Sequence, residues 1–196
     1  MIGALVLFLI LAVAFISAFW PRYEERFIEL SLLGKDKTAK EYYLNDNSTL
    51  KPGSQVSWHI YIHNHMGSLQ NVTVRVKLLN STMEAPDDRK HEPSPFASFA
   101  EFPLSLSVDD TLFIPFSWCI LDAVSQNGSI ILKRLMVNGQ TVEVNVPAFS
   151  NSLFRMVFEL WVYDQSSHGY KFGWESGKEF ASVSVYMWFN VSSPAD

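Results

Sequence analysis

Three histidines form the sharpest chemical pattern in the chain. His59, His63 and His65 share one parity within residues 56–65, so an unbroken strand projects all three onto one face. His63 and His65 stand at i and i+2, about 7 Å apart at their Cα atoms, a spacing at which one strand supplies two ligands to a metal ion. Imidazole ligands suit copper or zinc. No third ligand at a fixed spacing and no acidic partner is visible in the sequence. The plainer reading is therefore a solvated strand face that ends in a turn at Met66-Gly67. On that reading the chain carries no metal and no cofactor, and His59, His63 and His65 remain candidates. His91, in a long connecting segment, is a further imidazole of the same standing.

Other residues offer weaker patterns. The acidic pairs Asp87-Asp88 and Asp109-Asp110 lack the ligand alternation of a calcium loop, and adjacent carboxylates point apart. They read as turn residues. Tyr170, Phe172, Trp174 and Phe180 could stack on a sugar or dip into a membrane, or they could pin their own loop to the core. Cys119 is the single cysteine, so no internal disulfide forms. Its apolar setting, FIPFSWCIL, makes it a buried small hydrophobe rather than a nucleophile. No phosphate loop, nucleophile elbow or His-Glu-x-x-His motif is present. The chain carries no catalytic pattern and is read as a non-enzyme.

Strands must position these residues. Ile28, Leu30 and Leu32 alternate with polar neighbours, as do Val56, Trp58, Ile60 and Ile62. Val72, Val74, Val76 and Leu78 form an inner row, with Asn71, Thr73, Arg75 and Lys77 directed to solvent. Phe154, Met156, Phe158, Leu160 and Val162 form another row. The last is Val183, Val185, Met187, Phe189 and Val191, with Asn190 on the wet side. Turns fall between these runs at Pro52-Gly53, Asp109-Asp110, Asn127-Gly128, Asn138-Gly139 and His168-Gly169. No helical period appears after residue 24. Seven to ten strands in two antiparallel sheets follow, an all-β, immunoglobulin-like sandwich. Residues 81–99 and 164–178 break the rhythm and read as long loops available for binding.

Residues 2–20 contain no charge and are long enough, at about 1.5 Å per residue, to cross a bilayer. Trp20, Tyr23, Arg22 and Arg26 follow at the depth of an interface. The run exceeds the apolar core of a signal peptide and has no basic segment before it, so it is read as a retained anchor. The domains are therefore residues 1–21, a transmembrane anchor, and residues 22–196, an extracytoplasmic sandwich. The juxtamembrane arginines alone would draw the domain to the cytoplasm. Five glycosylation sequons, at Asn47, Asn71, Asn80, Asn127 and Asn190, point outward instead. Ten Asn and 29 Ser or Thr in 196 residues give about one or two by chance, and the excess outweighs two arginines. The net charge of −5 excludes a basic nucleic-acid footprint.

Four segments carry a family likeness: residues 25–34 (ERFIELSLLG), residues 50–53 (LKPG), the pair Asn64-His65, and residues 71–78 (NVTVRVKL). Together they resemble the extracytoplasmic domain of archaeal membrane proteins grouped as domain of unknown function 1616, and adhesion-type immunoglobulin-like domains of prokaryotic surfaces. The resemblance covers residues 20–80. It implies an archaeal surface protein with no assigned catalytic residues. Members carry several membrane helices before this domain, where this chain has one apolar run. The expected function is a single-pass, membrane-anchored glycoprotein module acting through protein contacts. It is held in the lipid bilayer by residues 2–20 and partnered by a membrane or surface protein. The alternatives are an extracytoplasmic copper or zinc module and a carbohydrate-binding domain.

Overall fold

The computed structural model describes residues 26–149, 153–176 and 179–192, so the anchor expected at residues 1–21 lies outside the described residues. The chain is all-β, and the described residues contain no α-helix. Thirteen strands are assigned among them: β1 Ile28–Leu33, β2 Thr49–Leu50, β3 Val56–Asn64, β4 Gln70–Asn80, β5 Ala100–Leu106, β6 Thr111–Gln126, β7 Ser129–Val137, β8 Gln140–Phe149, β9 Phe154–Asp164, β10 Gly169–Phe172, β11 Trp174–Ser176, β12 Glu179–Ala181 and β13 Ser184–Val191. That exceeds the seven to ten expected: β10 and β11 are short pieces inside residues 164–178, where a loop is expected, and β2 and β12 are only two and three residues long.

Two sheets face each other. The first runs β1-β3-β6-β7-β8 and the second β2-β13-β9-β4-β5, with β10 also on β9. Neighbours are antiparallel except β13 and β2. This arrangement is consistent with a β-sandwich. The inward rows meet as the alternation predicts. Leu30 lies opposite Ile62, Ile60 opposite Ile114 and Val74 opposite Leu160. Aromatic rings join the two sheets: Trp58 stands 6.2 Å and Phe116 5.1 Å from Phe158, and Trp118 stands 5.0 Å from Phe189. Each such buried ring contributes roughly 1.5–3 kcal/mol by leaving water. Cys119 is buried and free, as its apolar setting predicts.

The turns also match. Asn127 and Gly128, and Asn138 and Gly139, have positive φ at both positions, the conformation two-residue hairpins need to follow the strand twist. Gly173 meets a different demand. Its φ is +105°, and a Cβ there would lie 2.2 Å from the Ala181 carbonyl oxygen. Only glycine lets β11 and β12 close at that point.

The outer face of the second sheet departs from the expected pattern. Alternation directs Thr73 and Lys77 to solvent, yet both are buried, and Arg75 is partly covered. For Lys77 the reason is residues 81–99, which fold across β4 and β9 instead of projecting as a free loop. Lys77 Nζ lies 2.8 Å from Glu159 Oε2 and donates to the Ser94 carbonyl at 2.6 Å. The Ser94 N–H and Trp161 Nε1 donate to the same carboxylate at 2.8 and 3.0 Å. Arg75 stacks over the Trp161 ring at 4.0 Å and pairs with Glu101. A buried charge survives only when paired and hydrogen-bonded, and the covering segment supplies those bonds.

Candidate functional site

The described chain begins at Arg26, and its end of the sandwich gathers the chemically capable residues. Phe27 precedes β1, whose first residue Ile28 pairs with Asn64 at the end of β3. The Asp109-Asp110 turn leads into β6, where Thr111 pairs with His63. The segments that follow β3 and precede β6 therefore meet at this end. Their backbones bond directly: Asn64 donates to the Asp110 carbonyl at 3.0 Å, and Asp109 donates to the Asn64 carbonyl at 3.1 Å.

Asn64 holds the arrangement together. It is fully buried, and its Nδ2 lies within 3.1 Å of the carbonyls of Ser68, Leu106 and Ser107. Its Oδ1 accepts from the Met66 N–H at 2.9 Å. One side chain thus fastens both loops, which makes a buried amide worth its desolvation.

On this frame His63, His65 and Asp109 converge. One potential ligand atom from each lies within 4.8 Å of the others, with both imidazoles half-buried and the carboxylate exposed. The two imidazoles stack at 3.9 Å between centroids. Phe27 stacks on the far side of His65 at 4.3 Å, and the His65 N–H donates to the Phe27 carbonyl at 2.9 Å. His63 Nδ1 sits 2.6 Å from Thr111 Oγ1, which leaves Nε2 open. Glu29 lies opposite His63 on β1 but is directed to Tyr61. Desolvation first, and then that carboxylate, push the Tyr61 phenol above its ordinary value.

His59 does not join this group. It lies further along β3, opposite Leu33 and Pro115, with Nδ1 3.2 Å from the Gly34 carbonyl. Parity put it on the shared face, but four residues of strand separate it from His63 by about 13 Å. His91 lies over the other sheet, 3.0 Å from the Ser182 hydroxyl and edge-on to Phe180. Asp109 stands beside the two histidines, although its sequence pattern assigns it only to a turn. It does occupy a turn, with φ +59°. Its position beside the histidines follows from β6 pairing with β3, and only that register could have revealed it. The other acidic residues serve turns and loops. Asp87 accepts from the Arg89 and Lys90 N–H groups, Asp88 from Ser184, and Asp110 from the Ser107 N–H.

The aromatic cluster separates. Phe172 and Trp174 are buried, Tyr170 packs on Tyr163, and Phe180 packs on His91. The four do not form one exposed platform. Trp174 Nε1 and the Ser176 hydroxyl instead donate to the Arg26 carbonyl, at 3.4 and 2.6 Å. A cleft of about 320 Å³ lies elsewhere, between residues 41–46 and the start of β3. Its charged lining includes the exposed Lys35–Glu41 pair.

The sequons differ in setting. Asn47, Asn71 and Asn127 are exposed. Asn80 Nδ2 donates to the Pro147 carbonyl at 2.6 Å, and its Oδ1 accepts from Thr82 and Met83. Asn190, expected on a wet face, is half-buried beside β2, with Oδ1 enclosed and unpartnered among the described residues. No protein-family model and no curated protein matches the chain.

Proposed function

We propose that the chain is a non-enzymatic, single-pass, membrane-anchored module whose sandwich stands outside the cytoplasm and works through protein contacts. The observation that carries this reading is the fastening of Arg26. Its carbonyl is held by Ser176 and Trp174, and the neighbouring Phe27 carbonyl by His65. An anchor at residues 2–20 would therefore join the domain at one fixed end. Six residue steps separate Trp20 from Arg26, so that end would stand within about 20 Å of the bilayer. Phe27, Leu69 and Val108, all substantially exposed, lie in the segments at this same end.

A partner would meet the other surfaces. β8 is the outer strand of its sheet, and Phe149 at its end is 69% exposed. Apart from the Pro147 carbonyl, which accepts from Asn80, such an edge offers unpaired backbone groups for strand addition. Residues 81–99 are less available than a free loop, because the ion pair beneath them holds them down. The facing sheets around a central tryptophan, Trp58, support the immunoglobulin-like reading. They are also compatible with the archaeal surface family that residues 20–80 resemble.

Fractionation of the full chain tests this directly. The protein should remain in salt-washed membranes and leave them only with detergent. Protease added outside intact cells should trim the sandwich. A chain found in the soluble fraction, or a sandwich protected from external protease, would overturn the reading. Crosslinking within membranes, followed by isolation of the full chain, would then identify the partner.

A further inference from the structure

We infer that His63, His65 and Asp109 form a binding site for one divalent transition-metal ion, zinc or copper(II). The inference stands on the side-chain geometry and does not depend on membrane anchoring. Three observations combine. Two imidazoles and one carboxylate bring ligand atoms within 4.8 Å of one another, and opening of the His63–His65 ring stack would aim both imidazoles at one ion about 2.0–2.2 Å away. Thr111 Oγ1 engages His63 Nδ1 at 2.6 Å, the kind of outer contact that orients a ligating imidazole and leaves Nε2 for the metal. Asn64, fully buried, ties the loops carrying His65 and Asp109, so the donor set is organised by the fold.

The donor chemistry selects the ion class. Nitrogen donors favour zinc and copper over magnesium and calcium, which take oxygen ligands. Two imidazoles and one carboxylate make three protein ligands. The remaining position falls to water or to an external ligand. The ion would also act on the chain entry, because His65 carries Phe27 on its ring and the Phe27 carbonyl on its backbone N–H. Metal binding would hold the entry of the chain in one orientation.

The test uses the full chain in detergent, prepared without a histidine tag and stripped with chelator. Calorimetric titrations with zinc chloride and copper(II) chloride should each be read for stoichiometry, with magnesium chloride as control. One equivalent of zinc, copper or both should bind. Asp109→Asn and Thr111→Val should each weaken binding by about tenfold or more. The His63→Ala, His65→Ala pair should abolish it, and His59→Ala should leave it unchanged. If the double alanine variant fails to fold, Asp109→Asn and Thr111→Val carry the test, with circular dichroism of the metal-free proteins as the folding control. Absence of saturable binding would overturn the site. So would equal affinity in the Asp109 and Thr111 variants, an equal loss in His59→Ala, or magnesium binding of the same strength.

Discussion

Lys77 and Glu159 place two charges 2.8 Å apart with almost no access to water. Removing one partner from such a pair costs about 3–5 kcal/mol, because the other charge is left enclosed. Lys77→Met should therefore lower the unfolding free energy by that amount in a denaturant titration. Adding Glu159→Gln should recover part of the loss. The glutamine oxygen can still accept from the Ser94 N–H or Trp161 Nε1, and no lone charge remains. Equal stability of the single and double variants would show that the pair is not the source of the cost. Alternation read Lys77 as solvent-facing because period two distinguishes two faces of a strand but cannot say whether the second is covered. The same limit hid Asp109, whose neighbours come from a strand more than forty residues earlier.

At the scale of elements, the hairpin joining β9 and β10 depends on one carboxylate. Asp164 is held well below the usual carboxylate range, first by the Lys171 ammonium and then by the hydroxyls of Ser166 and Ser167. A carboxyl whose folded value is depressed contributes stability above its unfolded value, and that contribution disappears as pH falls. Amide protection at residues 165–169, referenced to intrinsic exchange rates, should fall as pH drops from about 5 to 3. In Asp164→Asn it should already be low at pH 5 and should not change further. Protection in β3 and β4 should be unaffected, since Asp164 ends β9 beyond its last pair with β4. This hairpin was legible at His168-Gly169, but β10 and β11 were not, because their short runs mix glycine and aromatics without a clean period. Pairing of β10 with β9 and of β11 with β12 makes them strands.

For the whole molecule, surface access ranks the sequons. Asn127 at a hairpin tip and Asn47 beside β2 can take a bulky group without moving the fold. A glycan at Asn80 would displace its bond to Pro147, and one at Asn190 would meet β2. In a cell that glycosylates the exported domain, Asn127→Gln and Asn47→Gln should each remove one step of a glycosidase-sensitive gel shift. Asn190→Gln should remove none. Loss of a step in Asn190→Gln alone would contradict this ranking.

The sequence by itself determined the inward rows, the hairpin turns and hence the all-β class, because period two and paired positive-φ residues are local properties of a strand and its ends. It also placed His63 and His65 on one face. Only the tertiary structure decided which outward faces are covered, which sequons are open, and that Asp109, rather than His59, stands beside the two histidines. Those outcomes depend on pairing between distant segments. A register that sets Thr111 opposite His63 is fixed by the packing of two whole sheets, and no short stretch of chain encodes it.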